Sequence, residues 1–186
     1  MIIYCSKALQ KALNLKKADL LPAEDVQHQG DDLYHWHAHI AKVEGKNTIV
    51  VMNDKTRYVI ILRNRLPRSQ VSFVKLMEEA IPYTFEVEGY NSIDAMNYMA
   101  NMGPIVFGAK GDRQITSNIN LYMKEFAYME KEVWDETDTV QAFVSHLKNY
   151  NICKRGKDYI VARDEMSDAL DALHDGKVIP FPLLRL

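Results

Sequence analysis

Cysteine is scarce in this chain, and neither sign of charge is in excess. The 186 residues include two cysteines, Cys5 and Cys153, which stand far apart and form no Cys-x-x-Cys pair. The dense disulfide framework of small secreted domains is therefore excluded, and a reducing compartment is expected. The formal net charge of -2 gives the chain no overall attraction to a polyanion. This balance does not favour nucleic acid as a partner.

Long apolar runs are also missing. No apolar stretch reaches the roughly 18 residues that a membrane-spanning helix needs. The opening residues, MIIYCSK, do not contain the basic segment and long apolar segment of a secretory signal. We therefore expect a cytoplasmic protein without a membrane partner.

Complete catalytic motifs are absent as well. The glycine-containing segments at residues 103–104 and 108–111 lack the spacing of phosphate-binding loops. Ser69, Ser92 and Ser117 lack the Gly-x-Ser-x-Gly elbow of a nucleophilic serine, and helix capping explains them better. No cofactor is assigned from these residues, and they do not favour an enzyme.

What is present is ordinary globular composition. Hydrophobic residues make up 47% of the chain and charged residues 26%, which argues against a disordered or fibrous protein. The length suits a single domain over residues 1–186. A subdivision into a sheet-containing part, 1–110, and a mostly helical part, 111–186, is the alternative.

The clearest pattern is a run of three predicted strands. Residues 34–43, 48–52 and 57–62 are rich in valine, isoleucine, tyrosine and threonine, and short turns separate them. This arrangement predicts a three-stranded antiparallel meander.

The flanking segments predict further helices and strands. Residues 2–5 predict a short strand that leads into a helix capped by Ser6. Ser69 is expected to cap a second helix, which Pro82 ends. The alternation of apolar and polar residues at 83–87 then predicts another strand.

The second half predicts helices around one hairpin. Apolar residues recur every three or four positions over residues 115–133, which predicts a long amphipathic helix. Asp138 is expected to cap another helix. The apolar residues assigned to that helix are Val140, Phe143, Val144 and Leu147. Residues 150–153 and 159–161 predict a hairpin with a basic turn at 154–157.

These elements define a fold class. Residues 104–107 add an edge strand, and an apolar stripe over residues 166–173 adds a final helix. The sequence thus predicts an α+β fold with a mainly antiparallel sheet built on the meander. Helices are expected to pack on one face of that sheet, and the C-terminal half is expected to be helical.

Four short segments together form a recognisable combination. They are the opening MIIYCSK, the pair Trp36-x-Ala38, the turn MNDKT at 52–56 and SNIN at 117–120. They resemble an uncharacterised family of bacterial proteins that is catalogued only as a domain of unknown function, over roughly residues 1–125. The resemblance implies no activity, substrate or cofactor. Members of that family usually carry other residues in place of His37 and His39.

The most concentrated chemistry is a group of three histidines in the first strand of the meander. Because successive side chains of a strand point to opposite faces, His35, His37 and His39 are expected to share one face. Neighbouring residues on one face lie about 7 Å apart, so two adjacent imidazoles can converge on one zinc or other transition-metal ion. A third ligand would come from elsewhere, either from a histidine (His28, His146 or His174) or from a carboxylate such as Asp31 or Asp32.

This cluster supports one enzymatic hypothesis. A metal with an open coordination position would ionise a bound water and hydrolyse an ester, amide or phosphate. The competing interpretation, which we favour, is the polar face of a half-buried sheet whose histidines form hydrogen bonds across strands.

The basic turn at residues 154–157 supports a second alternative. A helix followed by a basic hairpin is the order found in winged-helix DNA-binding proteins, and such a turn would contact phosphates. A solvated turn is the simpler interpretation, because no basic recognition helix accompanies it.

The function that the sequence favours is therefore a cytoplasmic, non-enzymatic binding or regulatory module. Its expected partner is another protein, and homo-oligomerisation is compatible with the sequence. The apolar tail at residues 178–184 contains two prolines that prevent a helix, and it either lies in a groove of its own domain or docks on a second chain.

Overall fold

The structure is a computed structural model and describes residues 1–22, 31–109 and 111–174. The predicted apolar tail and His28 lie outside these ranges. None of the helices in the described ranges is long and apolar enough to cross a lipid bilayer.

The described residues form eight strands and six α-helices. The strands are β1 (Ile2–Cys5), β2 (Leu20–Leu21), β3 (His35–Val43), β4 (Lys46–Asn53), β5 (Val59–Arg63), β6 (Val106–Gly108), β7 (Ile152–Arg155) and β8 (Asp158–Val161). The helices are α1 (Lys7–Ala12), α2 (Gln70–Glu88), α3 (Ser92–Asn101), α4 (Arg113–Phe126), α5 (Ala142–Asn149) and α6 (Ala162–His174). Short 3-10 turns occur at Lys17–Asp19, Asp32–Tyr34 and Lys131–Val133.

The predicted meander is confirmed as β3, β4 and β5, which pair antiparallel in that order. The turn between β3 and β4 consists of Glu44 and Gly45, with φ angles of 50° and 78°. Two positive φ angles are typical of the tight hairpin turn whose twist matches that of the flanking strands. The hairpin β7–β8 around the basic turn is also confirmed.

The main sheet is mixed, which corrects the prediction of a mainly antiparallel sheet. Its strand order is β2-β6-β1-β3-β4-β5, and β1 pairs parallel with both β3 and β6. Every residue of β1 is buried, as expected for a central parallel strand. Strand β6 lies between β1 and β2, so the prediction that it forms an edge is wrong.

Helices cover both faces of this sheet, whereas one face was predicted. Helices α1, α2, α3 and α6 pack against the face that carries Trp36, Ala38 and Ile60. Helix α4 covers the opposite face, where its Ile119 and Phe126 join Val50 and other β4 and β5 residues. The sheet is therefore the middle layer of three.

Helix α2 continues through Pro82, and the strand predicted at residues 83–87 is wrong. Phe85 is buried while Tyr83 and Val87 are exposed, so the alternation that suggested a strand is one side of a helix. The helix ends at Gly89, whose φ of 79° is left-handed and suits a helix terminus. Pro82 lacks an N–H and therefore removes only one hydrogen bond from a 19-residue helix.

The predicted caps are partly confirmed. Ser6 and Ser69 accept hydrogen bonds from the first turns of α1 and α2. Helix α4 is instead capped by Asp112, with Ser117 inside the helix. Asp138 accepts a hydrogen bond from the Val140 amide but does not begin α5. The structure places Gln141 directly before that helix.

Helix α5 and the residues just before it cover the outer edge of β5, where Leu62 forms an isolated antiparallel bridge with Val140. The Ser145 hydroxyl accepts a hydrogen bond from the Ile61 amide at 3.0 Å. The Asn149 side chain bonds both the amide and the carbonyl of Val59, at 2.7 and 3.0 Å. Because these backbone groups are buried, they need partners, and polar side chains of α5 supply them.

We predict that Asn149→Ala destabilises the protein by about 1–3 kcal/mol, because the buried amide and carbonyl of Val59 both lose a partner. The change is measured as a shift of the chemical unfolding midpoint. Asn151→Ala removes the same amide group from an exposed position just beyond the helix and should leave the midpoint nearly unchanged. Equal effects of the two substitutions would contradict this role of Asn149.

Candidate functional site

The three histidines lie on one face of β3, as predicted. His37 pairs across the sheet with Met52, which belongs to the cluster under α4, whereas Trp36 and Ala38 belong to the cluster on the opposite face. His35 and His37 are buried, and His39 is half-buried. The histidine face is therefore covered by α4.

Each histidine has a different polar partner. Nδ1 of His37 lies 2.6 Å from the Asp54 carboxylate, and Nδ1 of His35 lies 3.4 Å from the Tyr4 hydroxyl. His39 forms a hydrogen bond with the Asn120 side chain. Among the described residues, no group of three or more histidine, cysteine or acidic side chains could hold a metal ion. The metal site stays a prediction, since His28 lies outside them.

Asp54 is held in place by its neighbour Asn53, which is fully buried. The Asn53 Oδ1 accepts hydrogen bonds from the amides of Lys55 and Thr56 and from the Thr56 hydroxyl. Its Nδ2 donates to the carbonyls of Leu33 and His35. One side chain thus fixes the β4–β5 turn against the start of β3 and directs Asp54 towards His37.

The Asp54–His37 pair has the geometry of a general base oriented by a carboxylate. Burial raises the pKa of Asp54, while the hydrogen bond with His37 partly offsets this rise. Nε2 of His37 has no hydrogen-bond partner among the described residues. However, the backbone of Gly111 lies so close to this ring that a Cβ there would clash with it. The pair is therefore closed to a substrate and acts within the fold.

The basic hairpin is anchored to α4 and α6. Asn118 donates a hydrogen bond to the Lys154 carbonyl at 3.0 Å. Arg155 forms an ion pair with Glu165 and donates to the Lys55 carbonyl. Lys154 and Lys157 are exposed. Two lysines on one turn are a small charge for phosphate contacts, so DNA binding remains a prediction without further support.

Helix α5 buries polar side chains and exposes apolar ones, which is the reverse of an ordinary surface helix. Its buried side includes Gln141, Ser145, Lys148 and Asn149 beside Val144. Its exposed side carries Phe143, Leu147 and Tyr150, which recur at the spacing of one helix face. The prediction that Phe143 and Leu147 pack inward with Val140 and Val144 is wrong, because the inward face carries the partners of the β5 backbone.

Two grooves extend the exposed apolar side of α5 in both directions. One, of about 480 Å³, is lined by Tyr83, Val87 and Phe143. The other, of about 670 Å³, is lined by residues of α4 and of the hairpin, including Leu121 and Tyr159. We call the combined surface the α5 band. It consists of Tyr83, Val87, Leu121, Phe143, Leu147, Tyr150, Ile152 and Tyr159, all exposed.

A pair of charged side chains flanks this band on the inner side. Glu88 is buried and accepts hydrogen bonds from Asn149 and from Nδ1 of His146, which lies 3.2 Å away. Arg163 lies 3.6 Å from the same carboxylate. The carboxylate is thus fully partnered, and His146 presents its ring to the smaller groove.

Comparison with known proteins places the chain in a family. The family model described as "Domain of unknown function (DUF6933)" matches residues 2–165. The chain belongs to the DUF6933 family. The predicted resemblance to a family of unknown function is thereby confirmed, whereas its bacterial distribution is untested. No curated protein matches the chain.

The segments that suggested the DUF6933 family have clear structural roles. Asn53 and Thr56 of the MNDKT turn form the buried network that positions Asp54. In the SNIN segment, Asn118 anchors the hairpin, Ile119 enters the core and Asn120 bonds His39. These residues account for the fold and leave the α5 band unexplained.

Sequence reasoning missed the α5 band. Gln141, Ser145 and Asn149 recur every four residues, so the helix has a polar stripe as regular as its apolar one. The usual rule assigns the apolar stripe to the core. Only the need of β5 for hydrogen-bond partners shows which stripe faces inward.

We predict that His39 weakens the fold in acid. Burial and the neighbouring His37 lower the pKa of His39 below its usual 6.5. As the pH falls below 6.5, the unfolded chain therefore binds a proton at this position before the folded chain does, and stability is lost. Between pH 7 and pH 5, the unfolding midpoint of the wild type should therefore fall further than that of His39→Gln. Equal falls would contradict the lowered pKa.

We also predict that both thiols are inert in the folded protein. Burial raises the pKa of Cys5 to about 12 and also raises the pKa of Cys153. The thiolate, which is the reactive form, is therefore scarce at neutral pH. Titration with a chromogenic disulfide reagent should detect no thiol in native protein and two in denaturant. Rapid reaction of native Cys5 would contradict its assigned environment.

Proposed function

We propose that this chain is a cytoplasmic, non-enzymatic module that binds another protein through the α5 band. The observation that supports this function is the reversed polarity of α5, which exposes Phe143, Leu147 and Tyr150 while burying four polar side chains. Folding requires the polar side to face inward. It does not require the outward side to be apolar.

The exposed apolar side carries a cost that a partner would remove. Apolar surface costs about 25 cal/mol per Å² when it stays in water. Contiguous apolar patches with a polar rim mark protein interaction sites. Aromatic residues are enriched at the centres of such sites, and three tyrosines and one phenylalanine belong to the band.

The surroundings of the band fit an interface as well. Lys148 donates to Glu125 at 2.6 Å, so the charges nearest to the centre are already paired within the chain. A partner that covers Leu147 would therefore not bury an unpaired charge there. Arg163 lies over the Tyr150 ring, 4.9 Å from its centroid, and its charge is paired with Glu88.

A site-specific cross-linking experiment tests this proposal. A photoreactive phenylalanine analogue is placed at position 143 or 152 and irradiated in living cells. We expect a single protein adduct of defined mass from both positions, because both side chains would lie against the partner. The analogue at position 128 is the control, since Tyr128 is 90% exposed but lies outside the band.

The outcome separates a binding surface from chance collisions. No adduct from positions 143 and 152, or the same adduct from position 128, would contradict the proposal. Leu147→Glu combined with the analogue at 152 should abolish the adduct, because a carboxylate at the centre of an apolar interface would be buried without a partner. Circular dichroism spectra of the variant should match those of the wild type, since Leu147 is exposed.

A further inference from the structure

A further groove lies between α2 and α3 and shares no lining residue with the α5 band. Its volume is about 420 Å³, and its apolar lining consists of Pro82, Ala95, Met96 and Met99, with Tyr90 beside them. Met96 is 60% exposed. Methionine side chains adapt to irregular apolar surfaces. The groove is therefore suited to an apolar segment of chain.

Helix α6 leads the chain towards this region. It begins on the side of α5, where Arg163 lies over the Tyr150 ring. The Arg163 carbonyl accepts a hydrogen bond from the Tyr90 hydroxyl at 2.8 Å. About two helical turns later, Leu170 lines a cavity together with Asp94 of α3. The chain thus leaves α6 on the side of α3, away from the α5 band.

Helix α3 stands between α6 and the groove. It packs against both α2 and α6, and Asp94 lies on a different side of it from the groove residues. A helix with its side chains is about 10–12 Å across. The four residue steps from His174, the last residue of α6, to Val178 span up to about 14 Å. The chain beyond α6 is therefore long enough to cross α3 and enter the groove.

The sequence beyond residue 177 has a composition that fits this groove. Residues 178–184 read VIPFPLL, and all seven are apolar. Their two prolines restrict the backbone, which lowers the entropy lost when such a segment binds in a groove. Glu86 is exposed in the groove lining, and its charge is complementary to that of Arg185, which follows directly. An occupant of suitable chemistry is therefore present in the chain itself.

We propose that residues 178–184 dock into the groove between α2 and α3 of the same chain. Docking removes from water an apolar segment that would otherwise be an aggregation liability. It also ties α6 to α2 across α3 and closes the groove to other partners. This inference concerns a surface other than the α5 band and does not rest on the proposed function.

Intramolecular cross-linking tests the docking. A photoreactive phenylalanine analogue replaces Phe181 in the purified chain of 186 residues, which is irradiated at low concentration. We expect a cross-link within one chain, and fragment masses should map it to residues 82–99. The analogue at position 128, an exposed site outside the groove, should give no cross-link to these residues.

Three results of this experiment would overturn the proposal. They are a cross-link from position 181 to another part of the chain, a product of twice the chain mass of 21.4 kDa, and the absence of any cross-link. A product of twice the mass would show that the tail docks on a second copy instead.

A substitution in the groove tests the same contact from the other side. Met96→Glu places a carboxylate under the apolar segment and should lower the cross-linking yield at least about tenfold. Val71→Glu adds the same charge at a 65% exposed position in the first turn of α2, far from the groove, and should leave the yield unchanged. Equal yields from the two variants would overturn the location of the docking site.

Tryptic cleavage after Lys177 gives a readout that does not depend on the analogue. Because docking shields the bond that follows Lys177, Met96→Glu should be cut at least about tenfold faster than the wild type, whereas Val71→Glu should be cut at the wild-type rate. Circular dichroism spectra of both variants should match the wild type, since both side chains are exposed. Equal cleavage of the wild type and Met96→Glu would overturn the docking.

Discussion

The hydrogen-bonding need of the β5 backbone is the constraint on which the surface of this protein depends. The amides of Val59 and Ile61 and the carbonyl of Val59 point away from β4 and are shielded from water. Asn149 and Ser145 satisfy them from a helix rather than from a neighbouring strand. Because a helix has one inward face, this use of polar residues turns Phe143, Leu147 and Tyr150 towards the solvent. A requirement inside the fold thus decides which side of α5 faces outward, whereas folding does not require that side to be apolar.

A similar use of polar residues explains why the histidine face gives no open site. Asn53 bonds five backbone and hydroxyl groups and holds the turn that brings Asp54 to His37. Gly111 then closes the approach to the ring. The three histidines, which were the main candidates for metal binding or catalysis in the sequence, therefore serve the packing of β3 against α4. The surface available to a partner is formed by ordinary apolar side chains.

Local sequence patterns predicted the individual strands and helices well, but they predicted less of the pairing between distant strands. The meander, the hairpin and the caps at Ser6 and Ser69 follow from alternation, turn residues and side-chain oxygens that act over a few residues. The parallel pairing of β1 with β3 and β6 depends on contacts between distant segments, which a single sequence does not reveal. Pro82 was expected to end α2, but packing of Phe85 and Ile81 in the core outweighs one lost hydrogen bond. The prediction of which side of α5 faces inward was wrong. Hydrophobic periodicity cannot show that β5 needs the polar side of this helix for its hydrogen bonds.

Amide hydrogen exchange measured by nuclear magnetic resonance tests the central claim most directly. If Asn149 and Ser145 complete the edge of β5, the amides of Val59 and Ile61 should exchange as slowly as those in the middle of the sheet, such as that of Val51. Outward amides of an uncovered edge strand exchange rapidly. Fast exchange at Val59 and Ile61 in the native protein would contradict the inward polar face of α5, and with it the origin proposed for the apolar band.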